Sequence, residues 1–105
     1  MNKTQIRLPK AKLIEFCKRW NVSELALFGS VLRADFRPDS DVDVLVSFSP
    51  DARVTLFDMV RMQDELKEIF GRNVDLVSKR GLGNSRNYLR RKQILDSARV
   101  IHVAR

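Results

Sequence analysis

In the segment Asp41–Val46 two aspartates alternate with valines before the run ends in Leu45 and Val46, and this pattern constrains the fold more than any other feature of the chain. Side chains on a β-strand point to opposite faces with a period of two. Asp41 and Asp43 therefore emerge side by side on one face, while the valines between and after them face the other. Two neighbouring carboxylates repel each other unless water solvates them or a cation lies between them. The pattern predicts a strand that holds a divalent metal ion.

A strand-to-helix turn is predicted at Gly29 and Ser30, between an apolar run that ends at Phe28 and a helix that begins near Val31. The first N–H groups of a helix have no partner within it, so they bind anions, and phosphate above all. Glycine lets a phosphate approach the backbone closely, and the Ser30 hydroxyl adds a donor or caps the helix. We therefore expect a phosphate-binding turn facing the carboxylate pair.

The motif formed by Gly29, Ser30, Arg33 and the run Ser40-Asp41-x-Asp43-x-Leu45-Val46 resembles the signature of the nucleotidyltransferase superfamily related to DNA polymerase beta. The similarity is in particular to its minimal, MNT-type members, and it extends over nearly the whole chain. The resemblance implies an α/β, two-layer nucleotidyltransferase-like fold with a small mixed sheet flanked by helices. The order of predicted elements agrees, and suggests that helices cover one face of the sheet while the carboxylate face stays open.

Two residues of this motif each have two interpretations. Arg33 lies one helical turn beyond Ser30, where it either contacts a phosphate or forms a structural ion pair. Ser40 precedes the carboxylate pair, where its hydroxyl either supports Asp41 or only forms the turn. Together with Gly29 and Ser30, they are the candidate nucleotide-phosphate-binding residues.

An acidic residue, Asp75, interrupts the apolar strand predicted over Asn73–Ser78. A carboxylate in such a strand needs an explanation, since its burial without a partner is costly. If this strand pairs beside Asp41–Val46, Asp75 reaches the same face and completes a three-carboxylate cluster; otherwise it is an edge-strand residue that faces water. The resemblance implies a third carboxylate here. The candidate catalytic and metal-binding residues are thus Asp41, Asp43 and Asp75, with two Mg²⁺ ions expected.

Hydrophobic periodicity predicts the other elements. Helices are expected over residues 9–20, 56–70 and 87–98, and strands over residues 25–28 and 99–103, with a basic, glycine-containing loop in residues 79–92. The inward-facing positions of the three helices are predicted to be Leu13, Ile14, Phe16, Cys17 and Trp20 in the first, Leu56, Phe57, Met59, Val60, Leu66, Ile69 and Phe70 in the second, and Tyr88, Leu89, Ile94 and Leu95 in the third.

The length of 105 residues predicts one domain spanning residues 1–105. The chain has no apolar run of about 18 residues and no signal-peptide pattern, so we expect a cytoplasmic protein without membrane association. A single cysteine, Cys17, excludes an internal disulfide. The net charge of +7 attracts polyanions but does not distinguish a nucleotide polyphosphate, an acidic protein or RNA.

The resemblance also implies a specific activity. Free-standing MNT domains of this size look like the antitoxins of toxin–antitoxin pairs, which transfer AMP from ATP to a tyrosine of a HEPN-domain ribonuclease toxin and form a hetero-oligomer with it. Two alternatives remain. One is a non-catalytic binding module that neutralises a partner by occlusion, which the intact motif disfavours. The other is a nucleotidyltransferase that acts on a small molecule or on RNA, which the absence of a further substrate-binding domain disfavours.

Overall fold

The computed structural model describes residues 9–29, 41–83 and 88–103, and in these ranges the chain forms one four-stranded sheet with helices on both faces. The elements in chain order are α1 (Lys10–Arg19), β1 (Val22–Phe28), β2 (Val42–Phe48), α2 (Leu56–Phe70), β3 (Val74–Ser78), α3 (Lys79–Gly83), α4 (Tyr88–Ser97) and β4 (Arg99–Val103). The strand order is β3-β2-β1-β4. Strands β2 and β3 are parallel and the other two pairs are antiparallel, which makes the sheet mixed. The predicted α/β class is confirmed.

One face of the sheet carries the main hydrophobic core. Val42, Val44 and Val46 are fully buried on this face, as their alternation with polar residues predicted. They pack with the buried residues of two helices, which are Leu13, Phe16 and Cys17 of α1 and Met62 and Leu66 of α2. The helical spacing of these five residues puts each set on one stripe of its helix. The valine face of β2 is therefore the inner surface of a sheet-and-helix layer.

The other face of the sheet carries a second, smaller core. Ala26, Phe28 and Leu45 form a buried cluster there with Leu82 of α3 and Ile94 of α4. We expected this face to be open, and that expectation was wrong for its central part. The chain after β3 folds back over this face and buries Leu82 and Ile94 against it. Removal of these apolar side chains from water favours this arrangement.

Helices α1 and α2 are joined by polar contacts at Glu65 as well as by the core. The indole N–H of Trp20 donates to Glu65 Oε2 over 2.6 Å, and an Arg19 guanidinium nitrogen lies 2.6 Å from Glu65 Oε1. Trp20 is accordingly only partly buried, and Ile14 is exposed, although both were predicted to be inward-facing. The buried stripe of α1 is therefore narrower than the sequence pattern predicted.

Several predicted elements differ in extent from those observed. Strand β1 begins at Val22, three residues before the predicted start, and the segment predicted as a basic loop contains the short helix α3. The helix predicted from Val31 lies outside the described residues. Within the three described ranges, no helix combines the length and the apolar character needed to cross a membrane.

Candidate functional site

The pairing of three strands brings the predicted acidic residues to one region of the sheet. Asp43 is the register partner of Phe28 across the antiparallel β1–β2 pair and of Asp75 across the parallel β2–β3 pair. Residues that are partners in adjacent strands lie on the same face. The face is the one that carries Leu45 and the smaller core, since the valines of β2 point to the main core. Asp75 thus lies beside Asp43, as expected if these strands pair.

The start of β2 is held to the start of β3 by a backbone hydrogen bond. The N–H of Val42 donates to the carbonyl oxygen of Asn73 over 2.9 Å. Asp41 comes directly before β2 and is exposed, Asp43 is half-buried, and Asp75 is exposed on the edge strand. We call the region formed by Asp41, Asp43 and Asp75 the aspartate end of the sheet.

Gly29 borders the aspartate end from the other side. Its backbone has a φ of +73°, in the left-handed region that glycine adopts most readily. A Cβ at this position would overlap Asp43 Oδ2 and would lie 3.1 Å from Asp43 Cγ. Glycine is therefore required here both by the left-handed backbone and by the lack of space for a Cβ beside Asp43. The sequence predicted a glycine that lets a phosphate approach the backbone here; in this structure the Asp43 side chain lies close to Gly29, and the phosphate contact stays a prediction.

A residue that sequence reasoning missed supports the third aspartate. The N–H of Leu76, on the peptide that follows Asp75, donates to Gln63 Oε1 of α2 over 3.1 Å. Strand β3 is at the edge of the sheet, so its outward N–H groups need partners from outside the ladder. Gln63 provides one and fixes the peptide unit next to Asp75. No local pattern distinguishes this glutamine from a solvent-facing one, because its role depends on how α2 docks.

The described side chains do not already form a closed metal site. Among residues 9–29, 41–83 and 88–103, no group of three or more His, Cys, Asp or Glu side chains is arranged to hold a metal ion. The donor chemistry and the backbone frame nevertheless fit a hard divalent cation. Adjacent strands lie about 4.8 Å apart, and carboxylate oxygens are the ligands that Mg²⁺ prefers. Asp43 and Asp75 are direct partners in the β2–β3 register, so their carboxylates lie on the same face of adjacent strands.

The other predicted site residues, Ser30, Arg33 and Ser40, lie outside the described residues. Their assignment to phosphate binding stays a prediction. The structure does place the residues that precede and follow this segment in the chain, since Gly29 borders the aspartate end and Asp41 is part of it.

Comparison with known proteins identifies the class to which this frame belongs. Residues 10–101 match the family model described as the nucleotidyltransferase domain, so the chain belongs to that family and is a nucleotidyltransferase. It is of the minimal, MNT type. A relative from Methanocaldococcus jannaschii, named as a protein adenylyltransferase, is 34% identical over 85% of this chain and 89% of its own length. The protein adenylyltransferase MntA of Thermococcus cleftensis is 37% identical over 65% of this chain and 67% of its own length.

Solved structures agree with this assignment. A structure described as a minimal nucleotidyltransferase is 38% identical, with a TM-score of 0.64, and the match covers 85% of this chain and 84% of that one. A crystal structure of a toxin–antitoxin with AMP-PNP has a TM-score of 0.69 at 19% identity, covering 93% of this chain and 76% of that one. The second comparison shows a shared fold.

Proposed function

We propose that this chain transfers AMP from ATP to a tyrosine hydroxyl of a HEPN-domain ribonuclease toxin, and that it acts as an antitoxin by doing so. The observation that carries the proposal is the register of Asp43 with Asp75 beside Gly29, in a chain of the nucleotidyltransferase family. Two further findings support it: relatives are named as protein adenylyltransferases, and the fold is shared with a toxin–antitoxin structure that contains AMP-PNP.

The reaction exchanges one phosphorus–oxygen bond for another. The acceptor hydroxyl oxygen forms a bond to the α-phosphorus of ATP, the bond from that phosphorus to the oxygen bridging to the β-phosphate breaks, and pyrophosphate leaves. The proton of the hydroxyl passes to a carboxylate, for which we propose Asp75. Asp75 is suited to this role because it lies on the edge strand and is exposed to an incoming acceptor.

Asp41, Asp43 and Asp75 would hold the metal, and the expected ions are two Mg²⁺. When bound, they supply positive charge at the α-phosphate and the leaving pyrophosphate and lower the pKa of the acceptor hydroxyl. Ser30, Arg33 and Ser40 are proposed to bind the triphosphate, together with the backbone at Gly29. Gly29 leaves room beside Asp43 that any side chain would fill.

The test is incubation of the purified chain with Mg²⁺ and α-labelled ATP, with and without the protein encoded next to it in its genome, which we expect to be the HEPN-domain toxin. Label is expected on a tyrosine of that protein, located by peptide mass spectrometry. Asp43→Asn and Asp75→Asn are each expected to reduce the rate by about 100-fold or more, since each removes a charge that acts on the transition state. Asp64→Asn is the matched control, because Asp64 is an exposed aspartate on α2, outside the aspartate end.

Three results would contradict the proposal. If no label moves to protein while the chain and its Asp43→Asn variant both still neutralise the toxin, the chain is a binding module in a nucleotidyltransferase fold. If label moves to RNA or to a small molecule instead, the acceptor is wrong. If label moves equally well in the Asp43→Asn and Asp75→Asn variants, the aspartate end is not the site.

A further inference from the structure

A second concave surface lies at the end of β2 opposite the aspartates. It is a cavity of about 550 Å³ between the ends of β2 and β3, the β2–α2 connection and the start of α2. Its lining contains hydroxyl groups from three serines and a threonine, two cations and a wall of apolar side chains, and none of the described residues that line it carries a carboxylate. We call this surface the distal groove. Its apolar wall includes Phe48, Val54, Leu56 and Met59, and its two cations are Lys79 and Arg80.

The distal groove is separate from the aspartate end. Strand β2 runs from one to the other, with Asp43 near its start and Phe48 at its end. At about 3.3 Å per residue, these two positions are roughly 16 Å apart. A molecule in the groove would not occupy the place of the nucleotide phosphates. The proposed reaction therefore leaves this surface without a role.

An exposed apolar ridge extends the groove onto the first turns of α2. Leu56 is 85% exposed, Phe57 is 81% exposed and Val60 is 60% exposed. These three residues were predicted to be inward-facing, and the structure contradicts this. Contact of α2 with the main core begins only at Met59 and continues through Met62. Large exposed apolar side chains in one patch mark protein interaction sites.

The ridge is presented on a well-formed helix start. The Thr55 hydroxyl accepts from the N–H of Asp58 over 3.1 Å, and the Asp58 carboxylate accepts from the N–H of Thr55 over 3.0 Å. This reciprocal capping satisfies two N–H groups at the helix start. Leu56 and Phe57 are therefore exposed on a helix turn that is itself folded.

The charges around the groove are mainly positive. Lys79 and Arg80 line it and are exposed, and Arg53 and Arg61, which precede and follow the ridge residues in the chain, are also exposed. On the acidic side, the Asp58 carboxylate is engaged in the helix cap, and Asp51 is exposed in the β2–α2 connection. The whole chain is biased in the same direction, with a net charge of +7. A partner segment with carboxylates around apolar side chains complements this surface.

We propose that the distal groove docks the protein acceptor through a segment of that protein that carries apolar side chains flanked by carboxylates. The identity of the acceptor rests on the function proposed above. A protein fits this surface better than a nucleic acid, because two of the three ridge residues, Leu56 and Val60, are aliphatic and offer bases no stacking face, and Phe57 stands alone between them. Docking away from the aspartate end holds the acceptor while ATP binds and reacts at the other end of β2.

The test measures binding and catalysis in the same set of variants. The ridge variant is Leu56→Ser with Phe57→Ser, and the charge variant is Lys79→Glu with Arg80→Glu. Leu89→Ser removes another exposed apolar side chain, on α4, and Lys10→Glu with Lys12→Glu makes the same change in net charge on α1. Affinity for the genomic neighbour proposed above as the acceptor is measured by calorimetry, and the KM values for that protein and for ATP come from label transfer.

Both groove variants are expected to weaken the affinity by at least about tenfold. They should also raise the KM for the protein acceptor while the KM for ATP stays unchanged. The two controls should bind and react like the unmodified chain. The charge variant should in addition show a weaker dependence of affinity on salt, since fewer opposite charges meet.

Wild-type affinity in both groove variants would overturn the proposal. So would a complete absence of binding between the unmodified chain and the HEPN protein. Sedimentation that shows self-association lost in the ridge variant, with partner affinity intact, would assign the groove to a second copy of this chain instead. Loss of affinity for RNA alone would assign it to nucleic acid. If groove variants lose binding but the unmodified chain transfers no label, the docking surface stands and the proposed activity fails.

Discussion

The requirement for glycine at position 29 comes from two separate physical effects. Gly29 and Gly71 have almost the same left-handed backbone, with φ values of +73° and +70°. A Cβ on Gly29 would overlap the Asp43 carboxylate, whereas a Cβ on Gly71 would meet no atom within 4 Å. Comparison of Gly29 with Gly71 therefore separates two costs of adding a side chain: the strain of a left-handed backbone, and the steric overlap with Asp43.

Replacing each of these glycines with alanine should therefore give different results. Gly71→Ala is expected to lower the free energy of unfolding by about 1 kcal/mol, which is the left-handed backbone penalty, and to leave the activity unchanged. Gly29→Ala is expected to cost about 3 kcal/mol, because steric overlap is added to that penalty. It should also reduce AMP transfer by about 100-fold through displacement of Asp43. Chemical denaturation and label transfer measure the two quantities. Equal changes in unfolding free energy and in AMP transfer for both substitutions would show that the Asp43 side chain moves aside at no cost.

Strand β3 depends on α2 as well as on β2. Its inner edge pairs with β2 in parallel register, and the Leu76 N–H on its outer edge is bound by Gln63 of α2. Main-core residues Val74 and Leu76 alternate along the strand with Asp75 and Val77, which lie on the other face. The position of Asp75 therefore depends on a strand that is hydrogen-bonded to β2 on one edge and to Gln63 of α2 on the other.

Removal of the Gln63 acceptor should loosen this strand locally. Gln63→Met keeps the length of the side chain but leaves the Leu76 N–H without its acceptor, at a cost of about 1 kcal/mol. Hydrogen exchange at the Leu76 amide is expected to become about fivefold faster, since 1 kcal/mol corresponds to that factor. Gln63→Glu retains an acceptor oxygen and should exchange like the unmodified chain. The same rate in all three proteins would mean that Gln63 does not hold the edge strand.

At the scale of the whole molecule, the main core also contains a titratable group. Cys17 is 2% exposed and packs among the apolar residues of α1 and the sheet. Burial disfavours the thiolate and raises the pKa of the Cys17 thiol from 9.0 to about 11. The folded protein therefore keeps this proton at pH values where the unfolded chain has lost it, and folding becomes linked to pH in the alkaline range.

The contribution of this thiol to stability should be complete below pH 9 and should be lost as the pH rises through 11. Between pH 8 and pH 11 we expect the free energy of unfolding to fall by about 2 kcal/mol more in the unmodified chain than in Cys17→Ala. Lysine and tyrosine titrations are common to both proteins and cancel in the difference. The measurement is urea denaturation of each protein at several pH values. Parallel curves would show that the thiol titrates normally.

Much of the fold and part of the candidate site could be predicted from the sequence. The alternation in β2 correctly assigned Val42, Val44 and Val46 to the core, and the helical spacing found Phe16 and Leu66. The interruption of an apolar strand by Asp75 drew attention to a residue that the structure places beside Asp43, and its role in metal binding stays a prediction. Exposure of Leu56, Phe57 and Val60 was not predictable, because periodicity shows which side chains share a helix face but not where the neighbouring sheet ends.

By itself, the sequence determined the local geometry: which residues share a strand face, where glycine is required, and where helices begin. These properties follow from backbone sterics and from the fixed rotation per residue, which act over a few positions along the chain. Only the tertiary structure decided that β3 pairs in parallel beside β2 and brings Asp75 to Asp43, that Gln63 holds the edge strand, and that a basic, apolar groove lies at the far end of the sheet. Each of these depends on contacts between residues distant in sequence, which form only when the elements pack together and bury both faces of the sheet.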